Sequence, residues 1–189
     1  LEIVAETAGE DNIQVDTLSL IGDNWAKLGV KLYTRPSQRE VFRERVFAGE
    51  TQLAIWTGLD NGLPTADYSP EEFVPIQQIQ LQWPMWGQYR ETEGKAGEAV
   101  DTQEGKELLS LYAAWRMAKD RTEREVSWKR ILDIHADQQF TIGTVCCTGQ
   151  PVVIASKLKG VPTDGIYSWD PGAFFGMYRM DTFWLDERR

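Results

Sequence analysis

The order of strand-like and helix-like segments over the first 56 residues constrains the fold most strongly. Residues 1–7 alternate weakly and carry Ile and Val, as a strand does, before Gly9 and its polar neighbours end the pattern. Apolar residues then recur at steps of three and four, the period of an amphipathic helix: Val15, Leu18, Ile21, Trp25 and Leu28. Gly29 follows and predicts a left-handed stop.

The next segments repeat this order. Residues 30–34 read as a second strand, Ser37 and Glu40 have the spacing of a capping box that opens a helix, Gly49 closes that helix, and residues 52–56 read as a third strand. Two successive strand–helix–strand units imply parallel strands with right-handed crossovers. The sequence therefore predicts an α/β fold with an open, mainly parallel sheet and flanking helices.

The remaining residues are predicted to complete one single domain over 1–189. Residues 57–100 are rich in Pro and Gly and show no sustained period, so we expect a long irregular excursion there. Helices are predicted from residue 104 to about 118 and from 122 to about 136, as an antiparallel pair, and the second is predicted to be capped by Thr122 with Glu125 three residues later. Short strands are expected at four places: 139–146, 152–156, 174–178 and 182–185.

Composition narrows the possible functions. A chain of 189 residues that is 42% hydrophobic can bury a full core, and its net charge of −9 repels nucleic acid. No stretch approaches the roughly 18 apolar residues of a membrane span. Cys146 and Cys147 are adjacent, so they cannot build a disulfide framework or a four-ligand zinc site. We expect neither a metal nor a cofactor.

The loop after the third strand is the candidate binding site, because ligands collect at the carboxyl ends of parallel strands. Its residues combine an indole with a flexible Gly, a carboxylate and an amide: Trp56, Thr57, Gly58, Leu59, Asp60 and Asn61. An indole can cover an apolar or cationic group, and a carboxylate can accept from an ammonium group. The equally weighted alternative is a core Trp followed by an ordinary Asp-Asn-Gly turn.

Signals for catalysis are weak. The chain has no Gly-x-Ser-x-Gly elbow and no Gly-rich phosphate cradle, so we expect no catalytic residues. One alternative is an α/β enzyme domain that uses Asp60 and His135, the single histidine. A second alternative is an interaction module that docks a partner through the aromatic segment 83–89.

Several short motifs resemble a known family. Lys27-Leu28-Gly29-Val30, the passage from Phe42 through Gly49 into Leu53-Ala54-Ile55-Trp56, and the ending Tyr178-Arg179-Met180-Asp181-Thr182-Phe183-Trp184 are similar to the carboxyl-terminal lobe of family 5 extracellular solute-binding proteins. These are the oligopeptide, dipeptide and nickel type receptors of ABC transporters. The resemblance implies one lobe of a periplasmic-binding-protein type II fold.

The resemblance also implies function and partners. The loop after the third strand would contact the ligand, and either Asp60 or Asp67 would meet a peptide amino terminus. Expected partners are a small solute, with peptides first, the amino-terminal lobe of the same protein and a membrane permease. We accordingly expect a non-catalytic carboxyl-terminal part of a two-lobed periplasmic protein whose precursor carries a signal peptide.

Overall fold

The computed structural model describes residues 1–10, 12–56, 65–144, 152–163, 165 and 179–186. They form two compact units. The first contains the described residues up to 56 together with 69–141, and the second contains 65–68 and the described residues from 142 onward. A single lobe over all 189 residues stays a prediction.

A three-stranded parallel sheet organises the first unit. Strand β1 (Glu2–Ala8) lies in the centre, between β2 (Lys31–Ser37) and β3 (Leu53–Ala54). Helix α1 (Asn12–Ala26) connects β1 to β2, and helix α2 (Arg39–Phe47) connects β2 to β3. The predicted parallel sheet with flanking helices is confirmed, although β3 is shorter than the predicted strand.

The two helices cover opposite faces of this sheet. Side chains alternate across a strand, so successive residues of β1 point to different helices. Ala8 is buried in a cluster with Phe42 of α2. Thr7 is fully buried on the other face, where its hydroxyl donates to Gln14 Oε1 of α1 at 2.6 Å. Both faces of β1 are therefore filled.

The glycines predicted to stop α1 and α2 are confirmed, but the capping box predicted at the start of α2 is wrong. Gly29 and Gly49 have φ of +77° and +71°, the left-handed conformation that stops a helix. Ser37 is still paired within β2, so it cannot cap α2. The N-cap is Gln38, whose side chain makes no capping hydrogen bond.

Residues 65–100 are less irregular than predicted. They contain a 3₁₀ turn (Glu71–Phe73) and helix α3 (Pro84–Glu91), with Pro84 at the first helical position. The segment contacts α2, since Gln78 Nε2 donates to the Phe47 carbonyl at 3.5 Å. None of the described helices is long and apolar enough to cross a membrane.

Helices α4 (Gln103–Met117) and α5 (Arg121–Gln138) form the predicted antiparallel pair. Arg124 lies 5.8 Å from the Trp115 ring near their connection, and Arg130 binds Glu107 farther away, at 2.6 and 2.9 Å. Asp120 caps α5 in place of the predicted Thr122, because its Oδ1 accepts from the Glu123 N–H at 2.9 Å. Between α3, α4 and α5 lies the main core: Val74, Ile76, Trp83, Leu108, Ile131 and Ile134.

Of the strands predicted for the last third, the described residues contain only part of 182–185. In the second unit, β4 (Leu158–Lys159) pairs antiparallel with β5 (Trp184–Leu185). The described parts of 139–146 and 152–156 contain no strand. Gln139 ends α5 in the left-handed conformation, φ 50°, which prevents a strand from starting there. The predicted strand 174–178, Cys146 and Cys147 lie outside the described residues.

Candidate ligand-binding site

The carboxyl ends of β1 and β2 border an open concavity. The chain leaves β1 toward α1 on one face of the sheet and leaves β2 toward α2 on the other. Such diverging connections leave a crevice in which ligands of open α/β sheets bind. The concavity has a volume of about 650 Å³ and is lined by the residues that follow the two strands: Gly9, Glu10, Pro36, Ser37, Gln38, Arg39 and Glu40.

Trp56 stands at the same edge, two residues after β3. The Ile55 N–H donates to the Glu6 carbonyl at 3.1 Å, which continues the pairing of β3 with β1. The Trp56 ring stacks on the buried Phe42 ring, with centroids 5.6 Å apart and planes inclined by 15°. The indole therefore packs on α2, as the core alternative expected, yet it remains partly exposed at this edge of the sheet.

Two arginines of α2 flank this indole. The guanidinium carbons of Arg39 and Arg43 lie 5.4 and 5.5 Å from the Trp56 ring centroid. Arg39 Nε also donates to Glu10 Oε1 at 2.5 Å. No sequence motif marks these two arginines, although positions 39, 42 and 43 share one helix face by their spacing. The edge thus offers an aromatic surface, a carboxylate and two cations.

Most of the predicted loop lies outside the described residues: Thr57, Gly58, Leu59, Asp60 and Asn61. Asp67 belongs to the second unit, where its backbone N–H donates to Thr65 Oγ1 at 3.4 Å. The ligand-binding roles of Trp56, of that loop and of Asp67 remain predictions.

His135 is packed among aromatic side chains of the first unit. Its Nε2 lies 2.8 Å from the Phe73 carbonyl oxygen, and because a carbonyl only accepts, Nε2 carries the proton. The rings of Phe73, Trp83 and Phe140 meet it edge-on at 5.2 to 5.6 Å. The described residues contain no group of three potential metal ligands. These contacts favour a packing role over the alternative of an enzyme that uses His135.

We expect this histidine to make the folding stability depend on pH. Burial lowers the pKa of His135 below its ordinary value of 6.5. The unfolded chain therefore takes up this proton at a higher pH than the folded chain. Stability should be complete above about pH 6.5 and fall as the pH drops through the lowered pKa of the folded state. Urea unfolding at about pH 7 and pH 5 measures this loss.

His135→Gln is the matching variant, because a Gln amide can still donate to the Phe73 carbonyl but does not titrate. Its loss of stability over the same interval should be smaller. Since His135 is the only histidine, no second imidazole can mask the result. An equal loss in both proteins would contradict the assignment.

The aromatic segment 83–89 offers less free surface than the interaction alternative requires. Trp83 is only 7% exposed and belongs to the main core, where it stacks on Trp86 with centroids 6.5 Å apart. Tyr89, at 39%, is the most exposed aromatic ring of α3. The segment therefore anchors α3 on the core.

Comparisons with solved structures agree with this architecture. The oligopeptide-binding protein OppA matches with a TM-score of 0.61 and 17% identity, over 74% of this chain and 24% of OppA. The fold is that of a periplasmic binding protein lobe. The periplasmic binding protein MelB of Agrobacterium fabrum C58, solved with stachyose, matches with a TM-score of 0.57 and 17% identity, over 75% of this chain and 20% of MelB.

Other comparisons found no relative. No protein family model matches the chain, and no curated protein matches it. The chain spans about a quarter of OppA and a fifth of MelB, so the likeness covers only part of each of these proteins.

Proposed function

We propose that this chain is a solute-binding lobe of an ABC importer's binding protein, and that the solute is a peptide. The observation that carries the proposal is the partly exposed Trp56 ring beside the crevice at the carboxyl ends of the parallel strands. The likeness of the fold to a protein named for oligopeptide binding supports it. This function needs no catalytic group and no cofactor.

In this proposal the Trp56 ring covers an apolar part of the solute. Asp60 or Asp67 accepts hydrogen bonds from its ammonium group, and the backbone of the loop 57–61 completes the contacts. The amino-terminal lobe of the same protein closes over the solute, which shifts the population from open to closed. The closed complex would then meet a membrane permease outside the cytoplasm, in the periplasm.

NMR titration of the chain tests this proposal, because it detects even the weak binding expected of one wall of a cleft. The eight Trp side chains give separate indole N–H signals, and Trp56→Phe identifies one of them. We expect a pool of short peptides to shift the Trp56 indole signal and the amide signals of Gly9 and Glu10. Trp56→Ala should weaken binding by roughly tenfold or more, since it removes the stacking surface.

Trp115→Ala is the control, because Trp115 lies on α4 and stacks on Tyr112 instead. It should leave peptide binding unchanged. Stachyose is the comparison solute: shifts with stachyose but not with peptides would refute peptide binding and leave solute binding in place. If neither solute moves the Trp56 signal, the proposed function is wrong.

A further inference from the structure

Three arginines of α2 face different surroundings. Arg39 donates to Glu10, and Arg45 donates to Glu6 and Glu50 at 2.8 Å. Arg43 differs from both: its Nε is buried, and no atom of the described residues accepts a hydrogen bond from it. No ion pair of the described residues includes Arg43, yet its guanidinium carbon lies 5.5 Å from the Trp56 ring centroid.

A buried guanidinium N–H without an acceptor is unfavourable, because it has lost its water and gained no partner. Here the unsatisfied donor lies beside the aromatic ring that the proposed function assigns to the solute. Arg39 precedes Arg43 by one helical turn and adds positive charge on the same helix face. The Arg43 residue as a whole is only partly buried, so a ligand that supplies an anionic acceptor can still approach its guanidinium group beside Trp56.

We propose that Arg43 binds a carboxylate of the solute whose apolar part lies on Trp56. This inference rests on the proposed function and specifies its solute as an acidic one. A carboxylate suits a guanidinium because its two oxygens can accept two parallel hydrogen bonds. A phosphate carries more negative charge, and Glu10 and Glu40 in the adjoining concavity would repel it more strongly.

Three peptides that differ only in charge test this inference. The neutral peptide is Ala-Phe-Gln with an amidated carboxyl end. The second has Glu in place of Gln and the same amidated end, and the third is Ala-Phe-Gln with a free carboxyl end. NMR titration measures each affinity. We expect at least one acidic peptide to bind about tenfold more tightly than the neutral one, because a charge-assisted hydrogen bond is gained. The acidic peptide that gains affinity identifies the source of the carboxylate.

Arg43→Gln should remove this preference while the neutral peptide still binds. Arg116→Gln is the matched control, since Arg116 lies 6.0 Å from the Tyr112 ring on α4, and it should keep the preference. Equal binding of all three peptides to the unmodified chain, or a preference that survives Arg43→Gln, would overturn the inference and leave the proposed function intact. Absence of binding by all three would overturn both.

Discussion

Gly87→Ala is expected to destabilise the first unit by about 3 kcal/mol. A Cβ at Gly87 would overlap the carbonyl carbon and oxygen of Gln77, and backbone atoms cannot turn aside as a flexible side chain can. The two segments are also tied together, because the Gln78 N–H donates to Glu91 Oε2 at 3.0 Å. Helix α3 would have to move outward and carry Trp83 with it from the main core.

Gly22→Ala is the matched control, since Gly22 also lies within a helix. A Cβ there would meet Leu32 Cβ at 3.7 Å, an ordinary contact. Ala stabilises a helix interior relative to Gly by about 0.5–1 kcal/mol, so this variant should be slightly more stable. Urea unfolding followed by far-UV circular dichroism measures both free energies. If both variants change the free energy of unfolding in the same direction, the close approach of Gln77 to Gly87 is not what destabilises Gly87→Ala.

The same glycine explains why α3 was not predicted. Sequence patterns mark Pro84 and Gly87 as breakers, and both fall within eight residues. Pro84 is compatible with a helix because it occupies the first position, where no N–H is needed. Gly87 is required by the close approach of another backbone segment, which no local pattern reveals. In contrast, α1 and α4 were predictable because their apolar residues recur with helical spacing over many turns. The start of α5 was predictable because the capping box at Thr122 lies two residues from the observed cap, Asp120.

Strand predictions failed where composition was the main argument. Val152, Val153 and Ile154 have the β-branched side chains that favour strands, yet no described residue pairs with them, and Val153 is 99% exposed. A strand preference reflects packing against neighbours more than an intrinsic backbone preference. In β1, β2 and β3 the prediction was right because crossover helices fix the partners.

The candidate site was predictable only in part for a similar reason. Trp56 was selected because it follows a strand of a parallel sheet. Phe42 and Arg43 reach it only because α2 crosses one face of the sheet between β2 and β3. Likewise, Glu6 reads as an outward polar residue in an alternating strand, but it is 2% exposed. The direction of a helix across a sheet decides such contacts.

The buried Glu6 gives the second large effect: Glu6→Gln is expected to lower the free energy of unfolding by about 2–3 kcal/mol. Both Glu6 oxygens accept from Arg45, at 2.8 Å each, and Arg35 lies 3.7 Å away. Gln keeps the size of the side chain but loses the charge and one acceptor. Among the described residues, Arg45 would then retain Glu50, at the exposed end of the cluster, as its one carboxylate partner.

The pH dependence of the free energy of unfolding distinguishes the contribution of this ion pair from that of uncharged packing. The hydrogen bond from Arg45 lowers the pKa of Glu6 below its ordinary value of 4.5. Its stabilisation is therefore complete above that value and is lost as the pH falls through the lowered pKa of the folded state. The stability difference between the unmodified chain and Glu6→Gln should accordingly shrink in acid.

Glu107→Gln is the control, because Arg130 also holds Glu107 through two hydrogen bonds, but on an exposed surface where water and salt weaken the pair. Its effect on unfolding by urea should be much smaller and should decrease further in high salt. If the two variants lose the same stability at neutral pH, or if the Glu6→Gln difference persists undiminished in acid, the buried pair is not what joins β1 to α2.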